Sequence, residues 1–264
     1  MIELVCIDVD GTLVGSSGIV APESWAAADA ARARGIRLAV CTGRPAFGLA
    51  RGFAERLDLE GWHIFQNGAS VVHLPRDETR SRALPATTIA TLISRARATG
   101  RVLELYTDTD YAVESALPRA QRHAELLGLR YRPRDLTSIG GTVVRAQWVV
   151  PHREAEGIMR EDHDGLTLAA SLSPVMPDTT FVNATPVGVD KGHAVRAVAE
   201  AYGIPLANVM MVGDSDNDLS ALRTAGVPVA MGNAEDDVRA AATHIVGHVD
   251  QGGLAEALSL AMRL

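Results

Sequence analysis

The sequence predicts an α/β fold: a parallel sheet with helices on its faces, interrupted by an inserted α+β domain. Two observations predict it. Short apolar, β-prone runs alternate with Ala-rich helical stretches from the N-terminus to about residue 83; that rhythm breaks, and it resumes at about residue 188. Several of these runs also end in a polar cluster, as strands do when their carboxyl ends line a ligand crevice. The core is therefore expected over 1–83 and 188–264, and the inserted domain over 84–187.

The elements follow in order. Leu4 to Ile7 is an uninterrupted apolar run, the signature of a strand buried on both faces. Pro22-Glu23-Ser24 opens an Ala-rich helix that ends near Gly35, and Ile36 to Cys41 is a second strand. Pro45 suits the first turn of a helix running to about Leu57. Trp62 to Phe65 reads as a third strand, closed by Gln66-Asn67-Gly68-Ala69, with Ser70 to His73 as its hairpin return.

The inserted region reads as helix Thr87 to Thr99, strands Val102 to Tyr106 and Tyr111 to Val113, and helix Pro118 to Leu127. Strand Ala146 to Val150, helix Arg153 to Asp162, and strands Leu166 to Ser171 and Thr179 to Asn183 complete it. The alternation in the last strand suggests a sheet with one wet face. The first rhythm then returns with helix Lys191 to Gly203, strand Val209 to Val212, a short helix to Ala225, strand Pro228 to Met231, helix Asp236 to Ala242, strand His244 to Val246 and helix Leu254 to Met262.

Composition narrows the function classes. The 264 residues are 47% hydrophobic, enough to supply a sizeable core. Twenty-five Lys and Arg face 32 Asp and Glu, a net charge of −7 with no basic cluster, which argues against nucleic-acid or anionic-membrane partners. An anionic substrate would be held by a few placed cations, not by the overall field. Cys6 and Cys41 lie in apolar runs and make neither a disulfide framework nor a zinc site; they read as core thiols in a reducing compartment. No apolar run approaches the length of a membrane span, and no basic region precedes a long apolar one, so a cytoplasmic protein is expected.

The chemistry-bearing residues stand after strands or at helix starts. In extended backbone Asp8 and Asp10 share a face, with side chains about 7 Å apart, and two such charges call for a cation. Oxygen ligands in a small site suit Mg²⁺ better than Zn²⁺. Thr42 follows the second strand, Lys191 opens a helix, and Asp214, Asn217 and Asp218 follow the strand at Val209. A calcium loop starting at Asp214 fails, because its sixth and twelfth positions are Leu219 and Ala225. The sequence holds no P-loop, no Gly-x-Gly fingerprint, no Gly-x-Ser-x-Gly elbow and no His-Glu-x-x-His. Carboxylates with Mg²⁺, one Lys and one hydroxyl are the equipment of phosphoryl transfer through an aspartyl-phosphate.

Asp8-Val9-Asp10-Gly11-Thr12, Thr42-Gly43-Arg44-Pro45, Lys191-Gly192 and Gly213-Asp214-Ser215-Asp216-Asn217-Asp218, in that order, resemble the haloacid dehalogenase-like hydrolase superfamily. The large insertion between the second and third motifs is most similar to its Cof-type phosphatases, as are Asn67-Gly68-Ala69 and Ala230-Met231-Gly232-Asn233-Ala234. The resemblance implies a Rossmann-like three-layer α/β/α core with an inserted α+β cap that selects the substrate. It implies Asp8 as nucleophile and Asp10 as general acid and base. Asp8, the backbone carbonyl of Asp10, and Asp214 would hold Mg²⁺. Thr42 and the amide of Gly43 would bind phosphate, as would Asn217. Lys191 would neutralise charge on the transferring group, Asp218 would position Lys191 or metal waters, and Arg44 and Asn67 would contact substrate.

The implied activity is Mg²⁺-dependent hydrolysis of small phosphomonoesters, sugar phosphates or related metabolites, by a monomer or homodimer. A sugar-phosphate mutase and a non-catalytic phosphometabolite-binding regulator are the alternatives. Relatives often carry an acidic residue in the strand before the lysine motif; here the stretch is Val182-Asn183-Ala184-Thr185-Pro186. Asp216 reads as a solvated turn residue, Asp218 could also cap the helix that begins there, and His123, His152 and His163 read as surface residues of the insertion.

Overall fold

Strand β1 (Leu4–Ile7) is buried along its whole length, because it is an inner strand of a parallel sheet with helices on both sides. The computed structural model describes residues 1–76, 78–161, 163, 165–173 and 175–264. After β1 come α1 (Pro22–Ala33), β2 (Arg37–Val40), α2 (Leu49–Asp58), β3 (Trp62–Phe65), β4 (Ser70–His73) and β5 (Glu78–Thr79). Pro22 starts α1 where its missing N–H costs nothing. Helix α2 begins four residues later than Pro45 suggests. Thr42 Oγ1 accepts the Arg44 N–H at 3.2 Å and holds the chain in a turn, and Gly48 at φ +66° prevents the helix from running through it.

The second group comprises α3 (Ala86–Thr99), β6 (Val102–Tyr106), β7 (Tyr111–Val113), α4 (Pro118–Leu126), β8 (Arg145–Pro151), α5 (His152–Arg160), β9 (Leu166–Leu172) and β10 (Thr179–Pro186). The end expected for α5 at Asp162 lies outside the described residues. The chain then returns with α6 (Lys191–Tyr202), β11 (Val209–Gly213), α7 (Leu219–Thr224), β12 (Val227–Ala230), α8 (Asp236–Ala241), β13 (His244–Ile245) and α9 (Gly253–Ala261).

Two compact units result: 1–44, 50–80 and 190–264 form one, and 45–49 with 81–189 the other. In the first unit the parallel sheet has the order β13-β12-β11-β1-β2. Leu4, Cys6, Ala39, Val209 and Met211 pack on one face against Ala194, Val195 and Val198 of α6 and Leu222 of α7. The intervening residues Val5, Ile7, Leu38, Val40, Met210 and Val212 are equally buried and point to the other face, where α1 and α9 pack together. Strand β3 is not a full member of this sheet. It pairs antiparallel with β4 and meets the end of β2 at the Cys41–Ile64 bridge. The imidazole of His63 fills the gap: its Nδ1 accepts the Val40 N–H at 3.1 Å and its Nε2 donates to the Asp58 carbonyl at 2.8 Å. Burial pushes this histidine down to about 4, so it is neutral.

The second unit is an antiparallel sheet, β7-β6-β8-β10-β9. Leu103, Leu105, Trp148 and Val182 face α3 and α5 on one side. On the other side lies a row of buried polar residues in register: Glu104 opposite Gln147, and Gln147 opposite Asn183. Glu104 accepts from Tyr106 at 2.6 Å and meets His123 at 2.8 Å, and Arg145 donates to Asn183 at 3.0 Å. His123 is therefore a buried member of a polar network, not a surface residue; His152 is exposed and His163 half-buried. Asn183 serves as the acceptor for Arg145. Among the described residues no helix is long and apolar enough to cross a membrane.

Candidate active site

Parallel strands deliver their carboxyl ends to one side of the sheet, so β1, β2 and β11 bring three polar loops together there. Asp8 follows β1 and continues its ladder, its N–H donating to Val212 O at 3.0 Å. Lys191, the first residue of α6, is fully buried, and its Nζ donates to Asp8 Oδ1 at 2.6 Å, Asp218 Oδ1 at 2.6 Å and Asn217 Oδ1 at 3.2 Å. Two small residues make this approach feasible. A Cβ on Gly192 would fall 2.4 Å from Ser220 O, so only glycine lets α6 lie so close to α7. A Cβ on Gly213 would fall 2.6 Å from the Asp218 carboxyl group.

Asp218 is occupied on both oxygens. Besides Lys191, it accepts the backbone N–H groups of Asp214 at 3.0 Å and Ser215 at 3.2 Å, as half of a capping box with Ser215. It thus caps the turn and positions Lys191 at once. Asp214 is oriented by Thr12 Oγ1 at 3.0 Å and by Asn233, which donates to Asp214 Oδ2 at 3.5 Å and to Gly11 O at 2.8 Å. Gly11 has φ +89°, and a Cβ there would sit 2.1 Å from Asp214 Oδ2. Thr12 and Asn233, assigned no role from the sequence although both stand inside motifs quoted from it, are the two side chains that orient Asp214.

Asp10 departs from the expected geometry. The β1 ladder ends at Asp8 and the chain turns at Val9, so the two-residue period does not extend to Asp10. The Asp10 side chain is 59% exposed, and Arg44 grips it with two bonds of 2.8 and 2.6 Å. The carboxylates that do come together, one oxygen each within 4.8 Å, belong to Asp8, Asp214 and Asp218.

The Thr42 loop is fixed from both sides. Thr42 N–H donates to Ile64 O, and Thr42 O accepts the Asn67 N–H, both at 3.0 Å. Gln66 and Asn67 both have φ +55°, a costly conformation outside glycine that puts the Asn67 side chain against Gly43 and within 3.3 Å of the Asn217 amide. Gly68 follows at φ +92°, where a Cβ would strike Asp190 O at 2.1 Å. Asn67 is thus nearly buried and ties the Thr42 loop to Asn217 and the start of α6. Asp216 is exposed, as a turn residue would be.

The electrostatics are unbalanced. Asp8, Asp10, Asp214 and Asp218 bring four carboxylates against the two cations Lys191 and Arg44. Burial first, then the charges of Asp218, Asp214 and Asp10, hold Asp8 well above the usual carboxylate range despite Lys191. Burial and Asp218 likewise raise Asp214 to about 7. Burial works against the Lys191 charge, but Asp218 and Asp8 more than offset it and raise its pKa. An all-oxygen cluster with surplus negative charge, and a glycine where any Cβ would collide with an Asp214 oxygen, fits a hard divalent cation.

With this site in place, residues 5–258 match the haloacid dehalogenase-like hydrolase family, and the chain belongs to it. Its Cof-type character, read from the insertion and the minor motifs, holds with the match. Similar proteins carry more particular names. A 5-amino-6-(5-phospho-D-ribitylamino)uracil phosphatase of Bacillus subtilis is 25% identical over 97% of this chain and 94% of its own. The HMP-PP phosphatase of Escherichia coli O157:H7 is 25% identical over 94% and 91%. A crystal structure of a haloacid dehalogenase-like hydrolase from Bacteroides thetaiotaomicron superposes with a TM-score of 0.84 at 28% identity, covering 98% of this chain and 99% of that one. The chain is accordingly a hydrolase whose named relatives are phosphatases.

Proposed function

We propose that this protein is a Mg²⁺-dependent phosphatase that hydrolyses small phosphomonoesters through a phosphorylated Asp8. The observation that carries the reading is the buried Lys191 ammonium bridging Asp8 and Asp218 at 2.6 Å beside Asp214. An Asp8 oxygen attacks phosphorus and the ester P–O bond breaks. The departing alkoxide takes its proton from Asp10. Water then attacks the phosphorus of the acyl phosphate, gives its proton to Asp10 and restores the Asp8 carboxylate as inorganic phosphate leaves. Lys191 and the Thr42–Gly43 turn face charge that builds on the transferring oxygens, and Asn217 supplies an amide beside Lys191. Arg44 must release Asp10 for proton transfer, and an incoming anionic group is the natural competitor for its guanidinium. Asp8, Asp214 and the Asp10 carbonyl would hold Mg²⁺, which neutralises charge on nucleophile and phosphoryl group when bound.

The named relatives act on small phosphorylated metabolites, which supports the same substrate class here. In this reading the inserted region 84–187 chooses among them. Exchanging it for that of a relative should change the ester profile while hydrolysis of a small generic ester is retained; an unchanged profile would place specificity around Arg44 and Asn67. The two buried free thiols suit a reducing, cytoplasmic setting. The decisive experiment is phosphate release from a panel of phosphomonoesters with Mg²⁺, by wild type and Asp8→Asn. The variant should lose activity by at least ~10³-fold, since an amide cannot form the acyl phosphate. No turnover of any ester by folded, Mg²⁺-loaded wild type, or an Asp8→Asn variant within tenfold of it, would overturn the proposal.

A further inference from the structure

Exposed sheet edges invite pairing with another chain, and proteins blunt them with short strands, charges or proline. Most edges here are blunted. β13 and β5 have two residues each and β7 three, while β2 is bridged to β3. The exception among the described residues is β9, seven residues long, Leu-Thr-Leu-Ala-Ala-Ser-Leu, with no charge, proline or glycine. None of its residues is fully buried, and Leu172 at its end is 71% exposed.

The hydrogen-bond phase of β9 is set by its inner partner. Val187 N–H donates to Gly165 O, and the same register pairs Thr167 with Thr185, Ala169 with Asn183 and Ser171 with Phe181. Antiparallel alternation therefore turns the backbone groups of Thr167, Ala169 and Ser171 towards β10. Those of Leu168, Ala170 and Leu172 turn outwards, as does the carbonyl of Leu166, whose N–H is taken by His163 O.

The strand is nearly the same read in either direction. Placed antiparallel to itself about Ala169, it sets Leu166 opposite Leu172, Thr167 opposite Ser171, Leu168 opposite Ala170, and Ala169 opposite its own copy. In this register the outward groups meet: Leu168 and Ala170 exchange bonds, and Leu172 donates to Leu166, about six main-chain bonds in all. Like meets like on both faces, as a two-fold interface requires.

We propose that two copies of this chain associate through β9, antiparallel about a two-fold axis at Ala169, and so join their five-stranded antiparallel sheets into one. Seven residues a side bury well under a standard interface of about 1,600 Å², so the association is weak, with Kd on the order of micromolar to tens of micromolar.

The test uses the full chain. Sedimentation velocity from about 1 to 500 μM should show a reversible monomer–dimer equilibrium. Ala169→Cys places two thiols across a non-hydrogen-bonded pair with Cα atoms about 4.5 Å apart, within disulfide reach, while the native Cys6 and Cys41 are fully buried. Thr167→Cys, more exposed but about 14 Å from its own copy in this register, is the control. Under mild oxidation Ala169→Cys should form covalent dimer at least tenfold faster than Thr167→Cys, and mixing Thr167→Cys with Ser171→Cys should give a heterodimer. A Thr167→Lys/Ser171→Lys chain sets lysines opposite one another and should associate at least tenfold more weakly, whereas Thr167→Lys/Ser171→Glu should restore dimer. A wild type monomeric at 500 μM, or equal cross-linking of the two cysteine variants, overturns the proposal.

Discussion

Replacing Lys191 by Met separates what this residue does for the fold from what it does for chemistry. The side chain is fully buried, and its removal strips hydrogen bonds from Asp8 Oδ1, Asp218 Oδ1 and Asn217 Oδ1 while leaving two buried carboxylates facing each other. Breaking a buried ion pair by deleting one partner costs about 3–5 kcal/mol. That is a large fraction of the ~5–15 kcal/mol by which a domain is stable, and it should lower Tm by about 6–20 °C in chelator. Adding Mg²⁺ should recover part of the loss, since a cation at Asp8 and Asp214 relieves the same repulsion. Adding Asp218→Asn to Lys191→Met removes one of the stranded charges and should recover stability too, yet activity should stay below about 1% of wild type in both variants. Scanning calorimetry with and without EDTA, beside a phosphate-release assay, reads both effects. If Lys191→Met unfolds within about 1 kcal/mol of wild type in EDTA, Nζ is not the counter-ion that holds the two carboxylates, and the reading of the site fails at its centre.

Three further outcomes are expected. Phosphatase activity should vanish in EDTA and return with Mg²⁺, while Ca²⁺, with its larger and looser shell, should compete without supporting turnover; full activity in chelator would remove the metal from the site. Gly11→Ala puts a Cβ 2.1 Å from Asp214 Oδ2 at φ +89° and should weaken Mg²⁺ activation at least tenfold, read from the Mg²⁺ concentration for half-maximal rate; an unchanged value would show that Asp214 is not a ligand. His63, lowered from 6.5 to about 4 by burial, stays neutral in the folded protein while the unfolded chain takes up a proton below pH 6.5, so its contribution is present above 6.5 and lost as pH falls towards 4. Wild type should lose about 1.5 kcal/mol more than His63→Gln between pH 6.5 and 5 in urea unfolding, and parallel pH profiles would refute the assignment.

The fold was legible wherever burial was uniform. Strands packed on both faces write themselves as unbroken apolar runs, and β1, β2 and β11 lie within two residues of where those runs place them. Reading failed where a single side chain or glycine, with no mark in the apolar pattern, decided the outcome. The start of α2 is set by the Thr42 hydroxyl and Gly48, not by Pro45. The pairing of β3 is set by the His63 ring, which takes the Val40 N–H that a neighbouring strand would otherwise have taken. His123 looks like a surface residue because its apolar helix neighbours are few, and only the strand register of Glu104 and Gln147 shows that it has buried partners.

The site shows the same division between identity and direction. Residue types at spaced positions were enough to gather Asp8, Lys191, Asp214, Asn217 and Asp218, because parallel strands and the helix after β10 leave their polar ends on one side of the sheet. Spacing could not say where Asp10 points, because the β1 ladder ends at Asp8 and the chain turns at Val9. The consequence is mechanistic. The Asp10 carboxylate, held by Arg44 at 2.6 and 2.8 Å, is tied to the Thr42 loop, so the residue proposed as acid and base and the loop proposed to bind phosphate are coupled before any substrate arrives. An anion that draws Arg44 towards itself releases Asp10 in the same event. In the proposed mechanism the proton donor is thus freed when a phosphoryl group draws Arg44 away, and the sequence carries that link only as the adjacency of Thr42, Gly43 and Arg44.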